Sequence, residues 1–134
     1  MEHQLWRGLF VNLMIPTGVK RRKLPRAVMR AYRGPFARRD AREPTHILPR
    51  EILGSRNYLR TVEQGLARLA HLPALIIWGD CDPAFREQER RRFEQLFLRH
   101  HTVHLHGAGH FIQEDAPDEM VAAIADWWDR ERGG

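Results

Sequence analysis

His110 stands in Gly107-Ala-Gly-His-Phe111, behind two glycines and just ahead of an acidic run that leads into Pro117. An imidazole titrates near neutrality, so a histidine set in a glycine loop is suited to taking and returning protons. It needs an acid to fix its tautomer. The candidates are Asp80 and Asp82 in Gly79-Asp-Cys-Asp-Pro83, and Asp82 lies 28 residues before His110. A carboxylate accepting from one ring nitrogen leaves the other free to accept a proton, which makes an acid–base pair awaiting a nucleophile. Asp82 ahead of Pro83 also reads as a helix N-cap with proline at the first helical position.

The chain offers few nucleophiles. Ser55, the only serine, sits in Leu53-Gly-Ser-Arg-Asn57 and not in a G-x-S-x-G elbow. Asp40 lies in a basic stretch with no strand before it. Cys81, the only cysteine, reads as a small, semi-buried residue. His100, His101, His104 and His106 crowd upstream of His110, but no ordered carboxylate or cysteine completes a zinc set, so no metal site is expected.

The elements that must position these residues differ between the two halves. Residues 4–14, 25–33 and 57–70 carry apolar positions at helical spacing, and 34–56 hold so many breakers (Pro35, Pro44, Pro49, Gly54) that loops and a short helical turn are expected. After Pro73 the pattern changes. Residues 74–78 are a continuous apolar run that suits a strand buried on both faces. A helix is expected over 84–98 with Phe85, Phe93, Leu96 and Phe97 inward, then a strand over 102–106. A last helix should start at Pro117 and carry Met120, Val121, Ile124, Trp127 and Trp128 on one stripe. Strand, helix, strand, helix is the order of an α/β parallel sheet, whose chemistry sits beyond the carboxyl ends of the strands. Asp82 and His110 both fall there.

Charge divides along the same line. Residues 1–72 hold 15 Lys/Arg against 5 Asp/Glu and residues 73–134 hold 7 against 12, so the halves carry +10 and −5. The basic half lacks interleaved aromatics and any zinc or helix-turn-helix signature, so a solvated basic face is expected and no nucleic-acid partner. No apolar stretch approaches the roughly 20 residues of a membrane span, and the N-terminus lacks a signal-peptide pattern. With one cysteine there is no internal disulfide, and a cytoplasmic protein is expected.

The segments LIIWGDCDPAF and AGHFIQEDAPDE, preceded by FVNLMIPTGVKRRKL, MRAYRGPF and REPTHILPREI, resemble the α/β-hydrolase fold as it occurs in haloalkane dehalogenases, over residues 9–129. The resemblance implies a C-terminal fragment of an α/β-hydrolase, with a helical cap over residues 1–70 and a β-α-β-α core segment over 71–134. It implies His110 as the general base that activates water to hydrolyse an aspartyl ester, and Asp82 as its orienting acid, with Asp80 as the close competitor. Phe36 matches a cap position that walls the substrate cavity, and Phe85 and Phe111 flank the catalytic positions. The implied substrate is small and apolar, halogenated or, in the related epoxide hydrolases, an epoxide; no metal or organic cofactor is implied. Nothing in the chain matches that family's nucleophile elbow or halide-binding groups. Inactivity of the chain alone is therefore expected, together with a complementary N-terminal half or a homodimer as partner. A non-enzymatic basic binding module is the alternative.

Overall fold

A computed structural model describes residues 10–38, 41 and 43–133. The helix expected over 4–14 lies partly outside them, and so does Asp40. A π-helical turn at Phe10–Met14 runs into α1 (Ile15–Gly18). Helix α2 (Arg26–Arg33) follows Pro25 and gives way at Gly34-Pro35 to a 3-10 turn, Gly34–Phe36. Val28, Met29 and Tyr32 recur at helical spacing on its inner face, while Arg26, Arg30 and Arg33 stay exposed. With Val11, Ile15, Val19, Leu24, Phe36 and Phe111 they form the core of the helical region.

Residues expected to be mostly loop instead form α3 (Pro44–Gly54). The prolines mislead because Pro44 occupies the first turn, where no amide donor is needed, and Pro49 removes only one backbone bond from a stretch otherwise rich in helix formers. Helix α4 (Arg56–Leu66) follows as expected and ends in a 3-10 turn, Ala67–Leu69.

Strand β1 (Ala74–Gly79) pairs in parallel with β2 (His100–Leu105), Ala74 opposite His100 and Gly79 opposite Leu105. The crossover between them carries α5 (Glu87–Leu96). This helix starts later than residue 84 because the Ala84 and Phe85 amides are taken by Asp82 and the Arg86 amide by the Glu89 carboxylate. Short α6 (Ile112–Asp115) and long α7 (Pro117–Gly133) close the described chain. A second core, Leu105, Ala108 and Ala116 with Ile77, Val103 and Ile112 against it, sits at the carboxyl end of the sheet.

The apolar stripes are only partly covered. Phe85 and Phe93, expected to point inward, are exposed, and so are Val121, Ile124 and Trp128 on α7. Phe85 lies ahead of α5 and not on its face, and the described elements do not cover Phe93 or the α7 positions. Among the described residues no helix is long and apolar enough to cross a membrane.

Candidate active site

The carboxyl ends of β1 and β2 are drawn together by backbone contact. Gly79 ends β1, and a Cβ there would stand 2.6 Å from the carbonyl oxygen of Ala108 and 2.7 Å from that of Gly109. Only glycine allows that approach. Gly107 takes a φ of +75°, which turns the chain sharply after β2. The Cys81 amide donates to the Ala108 carbonyl at 2.9 Å and pins the two loops side by side.

This places Asp82 against His110. Asp82 Oδ2 lies 2.9 Å from His110 Nδ1, and Oδ1 accepts the amides of Ala84 at 2.8 Å and Phe85 at 3.1 Å. Asp82 is not the N-cap expected of it, since the helix starts at Glu87 behind Arg86; its two oxygens instead close a turn over Ala84 and Phe85 and meet the His110 ring. An ionised carboxylate can only accept, so Nδ1 carries the ring proton and Nε2 is left as the basic nitrogen. The pair is sheltered, with the Asp82 side chain 10% exposed and that of His110 34%.

Two aromatic rings set the plane of the imidazole. Phe85 stacks on it with centroids 5.3 Å apart and 24° between planes, and Phe111 meets it edge-on at 5.1 Å and 85°. Phe111 in turn lies 6.4 Å from Tyr32, and both it and Phe36 pack against the core of the helical region. The three phenylalanines singled out from the sequence therefore lie around His110 or in the cluster that supports it.

Asp80 is bound elsewhere. Its Oδ2 lies 2.9 Å from His106 Nδ1 and its Oδ1 accepts the Gly107 amide at 2.6 Å. These bonds, that to His106 foremost, hold its carboxyl below the usual carboxylate range. His104 and His106 lie with rings 6.4 Å apart, and among the described residues no three His, Cys, Asp or Glu side chains are grouped to hold a metal. Cys81 is exposed, not semi-buried, because its backbone and not its side chain makes the contact with the neighbouring loop. The Ser55 hydroxyl donates to Glu51 at 2.6 Å.

Asp115 carried no signal in the sequence beyond its place in an acidic run, yet it is buried, 7% exposed. Its carboxylate accepts the amides of Lys20, Arg21 and Gly109 at 2.7 to 3.0 Å. Burial alone would raise its pKa; the bonds from Gly109, Lys20 and Arg21 and the charge of Arg21 outweigh that and hold it low. Around it, the Arg21 guanidinium pairs with Glu119 and donates to the His106 carbonyl at 2.8 Å. Tyr32 donates to Glu114 at 2.9 Å.

Two grooves near these elements, formed by described residues, are not lined by His110. A groove of about 540 Å³ runs between α4 and α5, lined by Leu66, Phe93 and Leu96, and a smaller one of about 220 Å³ adjoins Trp78, Phe85 and His104. The described residues bring together an imidazole, a carboxylate and two aromatic rings.

Comparisons with known proteins bear on the fold. A family model described as the alpha/beta hydrolase fold matches residues 3–117. Haloalkane dehalogenase 2 of Mycobacterium tuberculosis is 41% identical over 122 residues, which is 90% of this chain and 42% of that protein. A cis-3-alkyl-4-alkyloxetan-2-one decarboxylase of Shewanella oneidensis is 31% identical over 121 residues, 86% of this chain and 38% of that protein. The crystal structure of an ancestral haloalkane dehalogenase superposes with a TM-score of 0.86 at 25% identity, over 99% of this chain and 48% of its own. The chain thus spans less than half the length of the relatives it matches.

Proposed function

The chain belongs to the α/β-hydrolase fold family, in its haloalkane-dehalogenase-like branch, and on that premise we propose that it carries the water-activating half of a dehalogenase site. The observation that carries the reading is the 2.9 Å contact between Asp82 and His110 Nδ1, which leaves Nε2 to act as base. Residues 1–70 serve as the cap over the substrate and 71–134 as part of the core. Phe36, Phe85 and Phe111 line the apolar side of the site and favour a small halogenated alkane.

The reaction has two steps. A carboxylate nucleophile displaces halide from carbon, the carbon–halogen bond breaking as a carbon–oxygen bond forms, and an enzyme ester results. Nε2 of His110 then takes a proton from water, whose oxygen attacks the ester carbonyl; collapse releases the alcohol and restores the carboxylate. Asp82 steadies the imidazolium that forms in between.

No aspartate among the described residues is placed to perform the first step. Asp80, Asp82 and Asp115 are engaged by His106, by His110 and by backbone amides, and Asp118, Asp126 and Asp129 stand exposed on α7. The nucleophile therefore comes from a complementary N-terminal segment that docks on this chain. The 42% coverage of the mycobacterial relative supports this. The single, exposed Cys81 suits a reducing cytoplasm.

Halide release should be measured for the chain alone and for the chain mixed with an N-terminal half bearing an aspartate at a nucleophile elbow. Turnover by the mixture, reduced to a single equivalent of halide by His110→Ala, is the expected result. Turnover that His110→Ala leaves untouched would overturn the reading. The same mixture given an epoxide and a β-lactone tests the related activities, the second suggested by the decarboxylase relative.

A further inference from the structure

Asp115 is the one buried charged side chain among the described residues, and the chemistry above gives it no task. A carboxylate withdrawn from water is costly unless its lone pairs are satisfied. Here they are satisfied by backbone alone. Oδ1 takes the Arg21 amide at 2.7 Å and Lys20 at 3.0 Å, and Oδ2 takes Gly109 at 2.7 Å and Lys20 at 2.9 Å. The carboxylate is the knot between the segment leaving α1 and the loop that presents His110.

Three aspartates hold that loop. Asp80 takes the Gly107 amide, Asp115 the Gly109 amide and Asp82 the His110 ring. Of these only Asp115 also reaches Lys20 and Arg21. Gly109 packs on Gly18 so closely that a Cβ would fall 2.2 Å from the Gly18 carbonyl oxygen, and the Phe111 amide donates to that oxygen at 3.4 Å. His110 is thus flanked on both sides by residues fixed to the Gly18–Arg21 segment. Holding the Gly109 amide, one residue before His110, restricts the backbone from which the imidazole departs.

We propose that Asp115 is a positioning residue: by binding the Gly109 amide together with those of Lys20 and Arg21, it aims His110 at Asp82 and ties that aim to the placement of the helical region. The proposal rests on the reading above only in taking His110 as the working base. A carboxylate is suited to the task because it accepts several amides at once and, being charged, bonds each more strongly than a neutral acceptor would. An amide side chain offers one acceptor oxygen and would present an NH2 to a backbone donor.

The test is the imidazole of His110 in the full chain labelled with ¹⁵N. The unaltered protein should show His110 in the Nδ1–H tautomer with a hydrogen-bonded, downfield ring proton. Asp115→Asn should lose that proton signal and mix the tautomers. Leu105→Ala, which opens a cavity under the same loop without touching a carboxylate, should lower Tm and leave the signal in place. If Asp115→Asn lowers Tm while the His110 signature persists, Asp115 is a folding contact only and the proposal fails. Should Asp115→Asn not fold, amide exchange in the unaltered chain decides. Gly109, Lys20 and Arg21 should be protected together, and a Gly109 amide exchanging as fast as exposed loop amides would overturn the proposal. Loss of the signature in Asp115→Asn, in a protein whose reconstituted turnover survives His110→Ala, would uphold the positioning role and overturn the dehalogenase reading alone.

Discussion

Gly109 rests on the backbone of Gly18, across 91 residues of sequence, with room for no side chain between them: a Cβ on Gly109 would meet the Gly18 carbonyl oxygen at 2.2 Å and the Lys20 side chain at 2.7 Å. Through this contact the loop carrying His110 is seated on the first helical segment and not merely held by β2. The glycines before His110 are there for close approach as well as for the turn, since of the two only Gly107 has a positive φ.

Gly109→Ala should therefore be among the most damaging small substitutions in the chain. Its methyl group meets backbone, which cannot swing aside, so the loop must lift and loosen the Gly109 amide from Asp115. The expected cost is about 3 kcal/mol or more, at or beyond the upper end of ordinary overpacking. Denaturant unfolding of Gly109→Ala beside Ala108→Gly checks it, the latter removing only a buried methyl and costing about 1 kcal/mol.

Tyr32 offers a milder probe of the same junction. Its hydroxyl donates to Glu114 at 2.9 Å while its ring leans on Phe111. Tyr32→Phe keeps the ring and removes the bond, so a loss of about 1 kcal/mol is expected. Burial first, and the Glu114 bond second, push the Tyr32 phenol above the ordinary tyrosine range. Tyr32→Phe should accordingly remove a late step from the alkaline absorbance titration.

How far these relationships could be read in advance depended on whether side chains or backbone make them. The positions of Asp82 and His110 at strand ends can be read because each follows a predicted strand and a glycine. Asp80 could not be separated from Asp82 by spacing; the geometry of the turn after Gly79 sends its side chain to His106. Asp115 was invisible because its partners are the amides of residues 20, 21 and 109, and an amide has no letter in the sequence. Helix α3 was missed because prolines were weighed as breakers irrespective of the turn they occupy. Helix α7 stands where its pattern predicts, yet Val121, Ile124 and Trp128 on its expected stripe are exposed, since periodicity marks an apolar face without saying what covers it.

Those uncovered faces carry a prediction of their own. Ile52, Leu53, Phe85, Val121, Ile124 and Trp128 are each 45% exposed or more. Large apolar side chains left uncovered in this number favour association. The chain alone should bind a hydrophobic dye and self-associate as its concentration rises, and the complementary N-terminal half should suppress both and raise Tm. Sedimentation of a single monomeric species without dye binding would contradict this.

Acid should unfasten the junction at Asp115. Its carboxyl is held below the usual carboxylate range in the folded chain, so folding favours the ionised form. The sign follows from linkage: the contribution is complete above the ordinary carboxylate pKa, about 4, and is lost as pH falls through the lower folded value. Urea midpoints measured from pH 6 down to pH 2 should fall for the unaltered chain. Asp115→Asn should begin lower and fall less steeply, and equal slopes would place the acid sensitivity in other groups.

The division of labour between the two aspartates can be read from halide kinetics in the chain combined with a nucleophile-bearing half. Asp82 fixes the Nδ1–H tautomer by accepting; Asp82→Asn can present its NH2 to Nδ1 instead, which puts the ring proton on Nε2 and removes the base. Halide displacement does not use that base, whereas ester hydrolysis does. Asp82→Asn should therefore release one equivalent of halide at the normal rate and then turn over roughly 10²- to 10⁴-fold more slowly, the range for a lost general base. Asp80→Asn disturbs only His106 and the Gly107 amide and should cost less than about tenfold, since the Asp82–His110 contact is left in place. If the two substitutions slow steady-state turnover equally, the acid has been assigned to the wrong residue.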